Sequence, residues 1–188
     1  FLVHRTEKGV FDDEIRELGG KIHYLPKFNP FNIIKYNNEL DHFFKINQEY
    51  KIVHAHYNAL SMWCLRAAWR HGVPVRIAHS HLAYPQFNYQ TPIYWYARKK
   101  INKYCSHRFA CSKEAAEWLY SKEYASDAII FNNAIPLDKF IYNEEIRLRT
   151  RENLSVNDKI VFGHVGRFNP SKNHQFLLNV FHEVYKIN

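Results

Sequence analysis

The chain has 188 residues, with 26 Lys and Arg against 18 Asp and Glu, a formal net charge of +8 that favours anionic partners. Its 46% hydrophobic and 16% aromatic content is enough for a folded core and excludes a disordered tail. No apolar stretch reaches the length of a membrane span, no charged-then-apolar leader opens the chain, and Cys64, Cys105 and Cys111 form an odd set without paired metal spacing, as expected in a reducing compartment.

The chain opens at Phe1, without a methionine, inside the apolar run FLVH, and so reads as a fragment beginning in a strand. DDEIREL reads as a short helix that starts on acids and stops at Gly19-Gly20, before a strand KIHYLP. A helix through FNIIKYNNELDHFFKI, a strand KIVHAH, a helix ALSMWCLRAAWRHG ended by Gly72, and a strand PVRIAHSH follow. The aromatic stretch AYPQFNYQTPIYWYARKKINKYC is expected to be helical in its second half, and RFAC, the helix SKEAAEWLYS and the strand AIIFNN come after it. Strands alternating with helices predict a doubly wound α/β fold, a parallel sheet with helices on both faces.

Residues 141–158 are polar and mixed in charge, with a helical stretch of ion pairs and no strong apolar face, as in a connection between domains. The expected organisation is therefore an α/β domain over 1–140, a connection over 141–158, and the start of a second domain over 159–188. That second domain is expected to open with KIVFGHV as a buried strand. It then turns through GRFNPSKN into a helix whose Phe176, Leu177, Val180, Phe181 and Val184 share one face. Such a strand-to-helix turn offers unpaired N–H groups and a partial positive charge, and with Gly166, Arg167, Lys172 and Asn173 in place it suits a phosphate. The plainer reading is that Gly166 makes the turn, Asn173 caps the helix, and both cations face water.

Of twelve histidines, two pairs stand at strand ends, His54 with His56 and His79 with His81. Residues two apart on a strand share a face. Each pair can ligate zinc, position a proton or acceptor hydroxyl, or simply satisfy carbonyls at the sheet edge. A long aromatic loop directly after His79 and His81 favours a pocket there. Dinucleotide-binding, P-loop and nucleophile-elbow motifs are absent, and the cluster Asp12-Asp13-Glu14 sits at a helix start, where the helix dipole explains it better than a metal does. Tyr94, Trp95, Tyr96, Arg98, Lys99, Lys100 and Lys103 can stack bases or face an anionic membrane. The spacing of Ile93, Tyr96, Ile101 and Tyr104 favours a helix with aromatics in the core and lysines in water.

Taken in order and spacing, IVHAH, RIAHSH, RFACSKEAAEWL, NNAIPLDKF and GHVGRFNPSKNHQFLL resemble the bacterial retaining glycosyltransferases of the GT-B fold, glycosyltransferase family 4, in the group that builds capsular and exopolysaccharides. The resemblance covers nearly the whole chain and implies two Rossmann-like domains, the first for the acceptor and the second for the sugar nucleotide. It implies that Arg167 and Lys172 hold the donor diphosphate and stabilise it as it leaves, that Gly166 lets the backbone approach the phosphates, and that His81, with His79 two residues before it, faces the transferred sugar. Asn133 matches the asparagine of the family's Asn-Gly-Ile-Asp run, which here reads Asn133-Ala134-Ile135-Pro136, so structural use of that segment is expected. The first strand with its glycine-rich loop, and the donor-domain glutamates, have no counterpart in these residues.

The resemblance thus implies a metal-independent enzyme without a cofactor, a nucleotide-sugar donor of the UDP-sugar type as substrate, and a glycan or lipid-linked acceptor. A cytoplasmic location follows, with peripheral association at the inner membrane face through the cations near Arg98 to Lys103. No nucleic acid is expected as a partner of that enzyme. The alternatives are a non-catalytic basic module that binds nucleic acid and a zinc protein that uses the histidine pairs.

Overall fold

A computed structural model of the chain describes residues 1–81 and 91–187, in two compact units, Phe1–Ala134 and Ile135–Asn188. In the first unit β1 (Leu2–Val3), α1 (Asp12–Glu17), β2 (His23–Tyr24), α2 (Ile33–Ile46), β3 (Ile52–Ala55), α3 (Ser61–Arg70) and β4 (Val75–Ser80) come in turn. They are followed by α4 (Thr91–Tyr104), β5 (His107–Ala110), α5 (Lys113–Tyr120), α6 (Lys122–Ala125) and β6 (Ile129–Ile130). The first half of the aromatic stretch, 83–90, lies outside the described residues.

β3, β4, β5 and β6 form one parallel sheet in sequential order, and β1 and β2 form a separate parallel pair. Ala55 stands opposite Ala78, and Ser80 opposite Ala110. These small residues share one face of the sheet and are all buried, which lets α3 and α5 settle closely onto it. The opposite face carries His54, Ile77, His79, Phe109 and Ile129, and its margins are open, Ile52 being 63% and Ile129 51% exposed. The α/β class with parallel strands is as expected.

The packing follows from helical periodicity. Tyr36, Leu40 and Phe44 of α2 lie four apart and are buried on one stripe, and Met62, Leu65 and Ala68 of α3 continue that core. Gly72, with φ +75°, ends α3 as expected, in a conformation that side chains resist. In α4 the core contacts are Ala97 and Ile101, with Ile93, Tyr94 and Tyr104 packed against them. Tyr96, expected in the core, is 49% exposed instead and lies against the Trp63 ring. Arg98 belongs to the structure rather than to a basic surface: it donates to the Trp118 carbonyl and stacks between Trp95 and Trp118, clamping α4 to α5.

Tyr120 binds the sheet to α5, its hydroxyl 2.6 Å from the Ala78 carbonyl and 2.8 Å from that of Phe109. Asp12 does more than meet a helix dipole. Fully buried, it accepts hydrogen bonds from Arg5, the Gly9 N–H and the Tyr24 hydroxyl. The Tyr24 and Gly9 bonds, then the nearby arginines, hold its carboxyl below the usual range. Between the edges of β1 and β3 lies a cavity of about 630 Å³, lined by Leu2, Val3, His4, Val53, His54 and Ala55 among others.

In the second unit a 3-10 turn (Leu137–Phe140) leads to α7 (Glu144–Asn153), and a second such turn (Pro170–Lys172) to α8 (His174–Ile187). KIVFGHV does not form the expected strand: 160–167 are irregular, with Val165 fully exposed. A strand exists only in a hydrogen-bonded ladder, and no strand of this unit is available among the described residues. The expected apolar face of α8 is present but uncovered, Phe176, Leu177, Val180 and Phe181 all being exposed.

His4 follows β1, 2.8 Å from the Tyr36 hydroxyl and stacked on Tyr57. Burial lowers its pKa from the ordinary 6.5 to about 4. The unfolded chain therefore binds an extra proton between those values, so this contribution is complete above pH 6.5 and is lost as pH falls toward 4. Chemical denaturation of the native protein and His4→Gln across this range is expected to show a flatter pH profile in the variant, the difference reaching at most about 3 kcal/mol. Parallel profiles would refute it.

Candidate active site

The residues singled out from the sequence fall into two groups, one on each unit. On the first unit, the parallel register that sets Ala55 beside Ala78 also brings the two histidine pairs together. His54 Nε2 is 3.0 Å from His79 Nδ1, and His56 Nδ1 is 2.8 Å from His81 Nε2. The rings are layered, His54 on His79 at 5.2 Å and His79 on His81 at 4.2 Å between centroids. Phe109 meets His54 and His79 edge-on, and Phe131 stacks on Phe109, so an aromatic wall excludes water from one side.

Burial is the first cause of the lowered pKa of His54, His56 and His79, and mutual repulsion is the second; His79 reaches about 4. These three rings are accordingly neutral at pH 7, able to accept or donate one hydrogen bond at each nitrogen. Asn58 was not foreseen. It follows β3 with φ +46°, and its side-chain carbonyl accepts the His81 N–H at 3.0 Å, fixing the backbone where β4 ends. An asparagine just after a strand, suited to the left-handed conformation, was the available signal.

On the second unit Gly166, Arg167, Lys172 and Asn173 lie within one loop and the start of α8. Asn173, with φ +45°, closes the Pro170–Lys172 turn and caps α8: its carbonyl accepts from Leu177 N at 3.2 Å and its side chain from Phe176 N at 3.4 Å. Its capping role is thus realised. Arg167 and Lys172 are exposed and make no ion pair among the described residues. The φ of Gly166 does not call for glycine, and an added Cβ would meet only side chains, standing 2.8 Å from Nε2 of the exposed His164, which can move aside, and 3.4 Å from Lys172 Cγ. This loop offers two cations and a helix start to an anion, and no carboxylate lies between Gly163 and Asn173.

The sequence pattern of Glycosyltransferase Family 4 matches residues 1–139. The chain belongs to that family. EpsF of Bacillus subtilis (strain 168) is 28% identical over 190 residues, covering 96% of this chain and 48% of EpsF. Crystal structures of Anabaena Alr3699/HepE superpose with it: the complex with UDP has a TM-score of 0.75 at 17% identity, covering 97% of this chain and 50% of that one. The complex with UDP-glucose gives 0.71 at 16% identity over 94% and 48% of the two chains, and that with UDP and glucose 0.72 at 16% over 97% and 50%. At such identities the likeness is one of fold, the Rossmann-like α/β architecture of GT-B glycosyltransferases. The chain spans about half the length of these relatives.

The Asn58 contact is open to a direct check. Replacing Asn58 with Ala removes the acceptor of the His81 N–H, and hydrogen exchange at that amide is expected to speed up by about tenfold or more while the β3–β4 ladder amides keep their protection. An unchanged His81 exchange rate would show that the bond does not hold this strand end.

Proposed function

We propose that this glycosyltransferase moves a sugar from a nucleotide donor of the UDP-sugar type to a glycan or lipid-linked acceptor in cell-surface polysaccharide assembly, with retention at the anomeric carbon. The observation that carries this reading is the loop Gly166–Asn173, with its two free cations and capped helix start, in a chain that belongs to the family over 1–139. Similarity of fold to a protein solved with UDP and UDP-glucose supports the donor class.

The transfer breaks the bond between the anomeric carbon and the donor's terminal phosphate oxygen, and negative charge builds on the departing diphosphate. Arg167, Lys172 and the first N–H groups of α8 stabilise that charge, each fixed donor contributing roughly 2–4 kcal/mol in a closed site. Because side chains and backbone supply the positive charge, the step needs no divalent ion. Gly166 keeps the backbone clear for the phosphates. On the first unit His81, with His79 behind it, orients the transferred sugar or the attacking hydroxyl. In this reading the residues after the connection begin the donor domain, those before it form most of the acceptor domain, and the enzyme works on the cytoplasmic side.

Calorimetric titration of the full-length protein in chelator, with UDP and UDP-sugars, tests the donor site. The native protein is expected to bind UDP without metal, and an Arg167→Ala, Lys172→Ala double variant to bind about 100-fold more weakly, each lost charge-assisted contact being worth roughly 1.5–3 kcal/mol. A folded native protein that ignores UDP would overturn the UDP assignment.

The lipid-linked acceptor calls for attachment at the membrane surface. Lys99, Lys100 and Lys103 are exposed on α4 and form its basic face. The full-length protein is expected to sediment with vesicles containing anionic lipid at low salt, and a variant with these three lysines changed to Gln to lose about tenfold in binding or more. Equal sedimentation of the two would remove this surface from the reading.

A further inference from the structure

We propose that the histidines at the ends of β3 and β4 form a zinc site that acts as a brake on the enzyme. His54, His56 and His79 each place one ring nitrogen within 4.8 Å of the others. His81 joins them through the contact between its Nε2 and His56 Nδ1. Two of the four imidazoles, those of His54 and His79, stand in adjacent strands of one sheet, and those of His56 and His81 lie one residue beyond the strand ends, so the backbone ladder holds the first two and leads directly to the others.

The chemistry of this donor set selects the ion. Imidazole nitrogens suit zinc and its neighbours among the transition metals, whereas magnesium and calcium ask for oxygen, and no carboxylate belongs to the group. Zinc–nitrogen bonds of about 2.0–2.1 Å set tetrahedral ligand nitrogens about 3.3 Å apart. The two cross-strand pairs stand at 3.0 and 2.8 Å. To seat one ion where protons are now shared, each pair opens by a few tenths of an ångström and the ligand nitrogens, now within 4.8 Å of one another, draw together. Each ring that gives up that shared proton carries it on its outer nitrogen, so the neutral ligands stay neutral.

The surroundings of His79, which is only 7% exposed, point the same way. Phe109 and Phe131 pack against His79 and screen its side of the site from water.

The consequence for the enzyme rests on the proposed function, in which His79 and His81 face the transferred sugar. An ion that takes these rings removes them from the substrate. Zinc is therefore an inhibitor here and not a cofactor, in keeping with charge stabilisation by Arg167 and Lys172.

The test uses the full-length protein, stripped with chelator and exchanged into metal-free buffer. Titration with cobalt(II), followed by its visible ligand-field absorption, is expected to show one tetrahedral ion per chain, displaced by one equivalent of zinc. His54→Gln, an exposed position outside the proposed sugar-facing pair, is expected to weaken zinc binding at least tenfold while UDP binding is kept, which shows that the variant is folded. His56→Gln gives the same test from a second ligand. Sugar transfer is expected to run in chelator, to fall with one equivalent of zinc, and to need at least tenfold more zinc in His54→Gln. A native protein that binds UDP but shows no stoichiometric cobalt spectrum, or a His54→Gln variant that binds zinc as tightly as the native, would overturn the site and leave only a hydrogen-bonded histidine stack. Zinc bound without any change in transfer would overturn the brake alone. Cobalt bound by a protein that ignores UDP would leave the site standing and remove the donor assignment.

Discussion

The pairing of β3 with β4 is the contact on which the first unit depends. One register does two things at once, because residues alternate across a strand. It puts Ala55 against Ala78 on the side where α3 and α5 pack, and it puts His54, His56, His79 and His81 together at and beyond the strand ends. A slip of one residue would carry histidines into the helix-covered core and alanines to the open face. Burial of the small residues is thus what holds the histidines in place. The core does not merely support the site; it sets the phase of the strand that presents it.

The two groups of candidate residues differ in electrostatic character, and the difference suits the work assigned to each. The histidine stack is largely uncharged at neutral pH, since burial and mutual repulsion keep protons off His54, His56 and His79. In the proposed function an uncharged ring at His79, behind His81, helps to orient a hydroxyl group without attracting a second phosphate. The loop before α8 is the reverse, with Arg167 and Lys172 exposed and no acid among its residues. In the proposed transfer, fixed positive charge there holds a diphosphate that is already anionic and meets the further negative charge it gains as the bond breaks, so it serves both donor binding and the barrier.

Much of this was legible in the sequence, for physical reasons that particular elements illustrate. α2 and α3 declare themselves because their apolar residues recur every three or four positions, and Gly72 ends α3 where a left-handed residue is required. The strands of the larger sheet are short apolar runs whose neighbours follow from the order of the chain. KIVFGHV was misread because periodicity reports what a segment can do, whereas a strand exists only beside a partner. Tyr96 was misplaced because α4 turns its Ala97–Ile101 stripe inward, and two small or aliphatic side chains fit there better than a phenol. In the site, each histidine pair was visible on its own strand. Their meeting was not, since register belongs to the fold and not to either segment.

Backbone conformation links the two groups in kind. Asn58 and Asn173 both hold φ near +45°, where most side chains are disfavoured and asparagine is among the least so. Each uses its side chain as well as its backbone: Asn58 accepts the His81 N–H, and Asn173 accepts the Phe176 N–H at the start of α8. Glycine would adopt either turn with less strain but would leave both N–H groups without that acceptor. Asparagine is therefore selected twice, at the cost of a less favoured backbone, for a hydrogen bond that fixes the residue beyond the turn. Modest local strain of this kind is expected where geometry matters more than stability. Positive φ alone does not mark these turns, since Ser121 and Ser155 share it; the side-chain bonds from Asn58 to the His81 N–H and from Asn173 to the start of α8 are what tie them to the candidate residues.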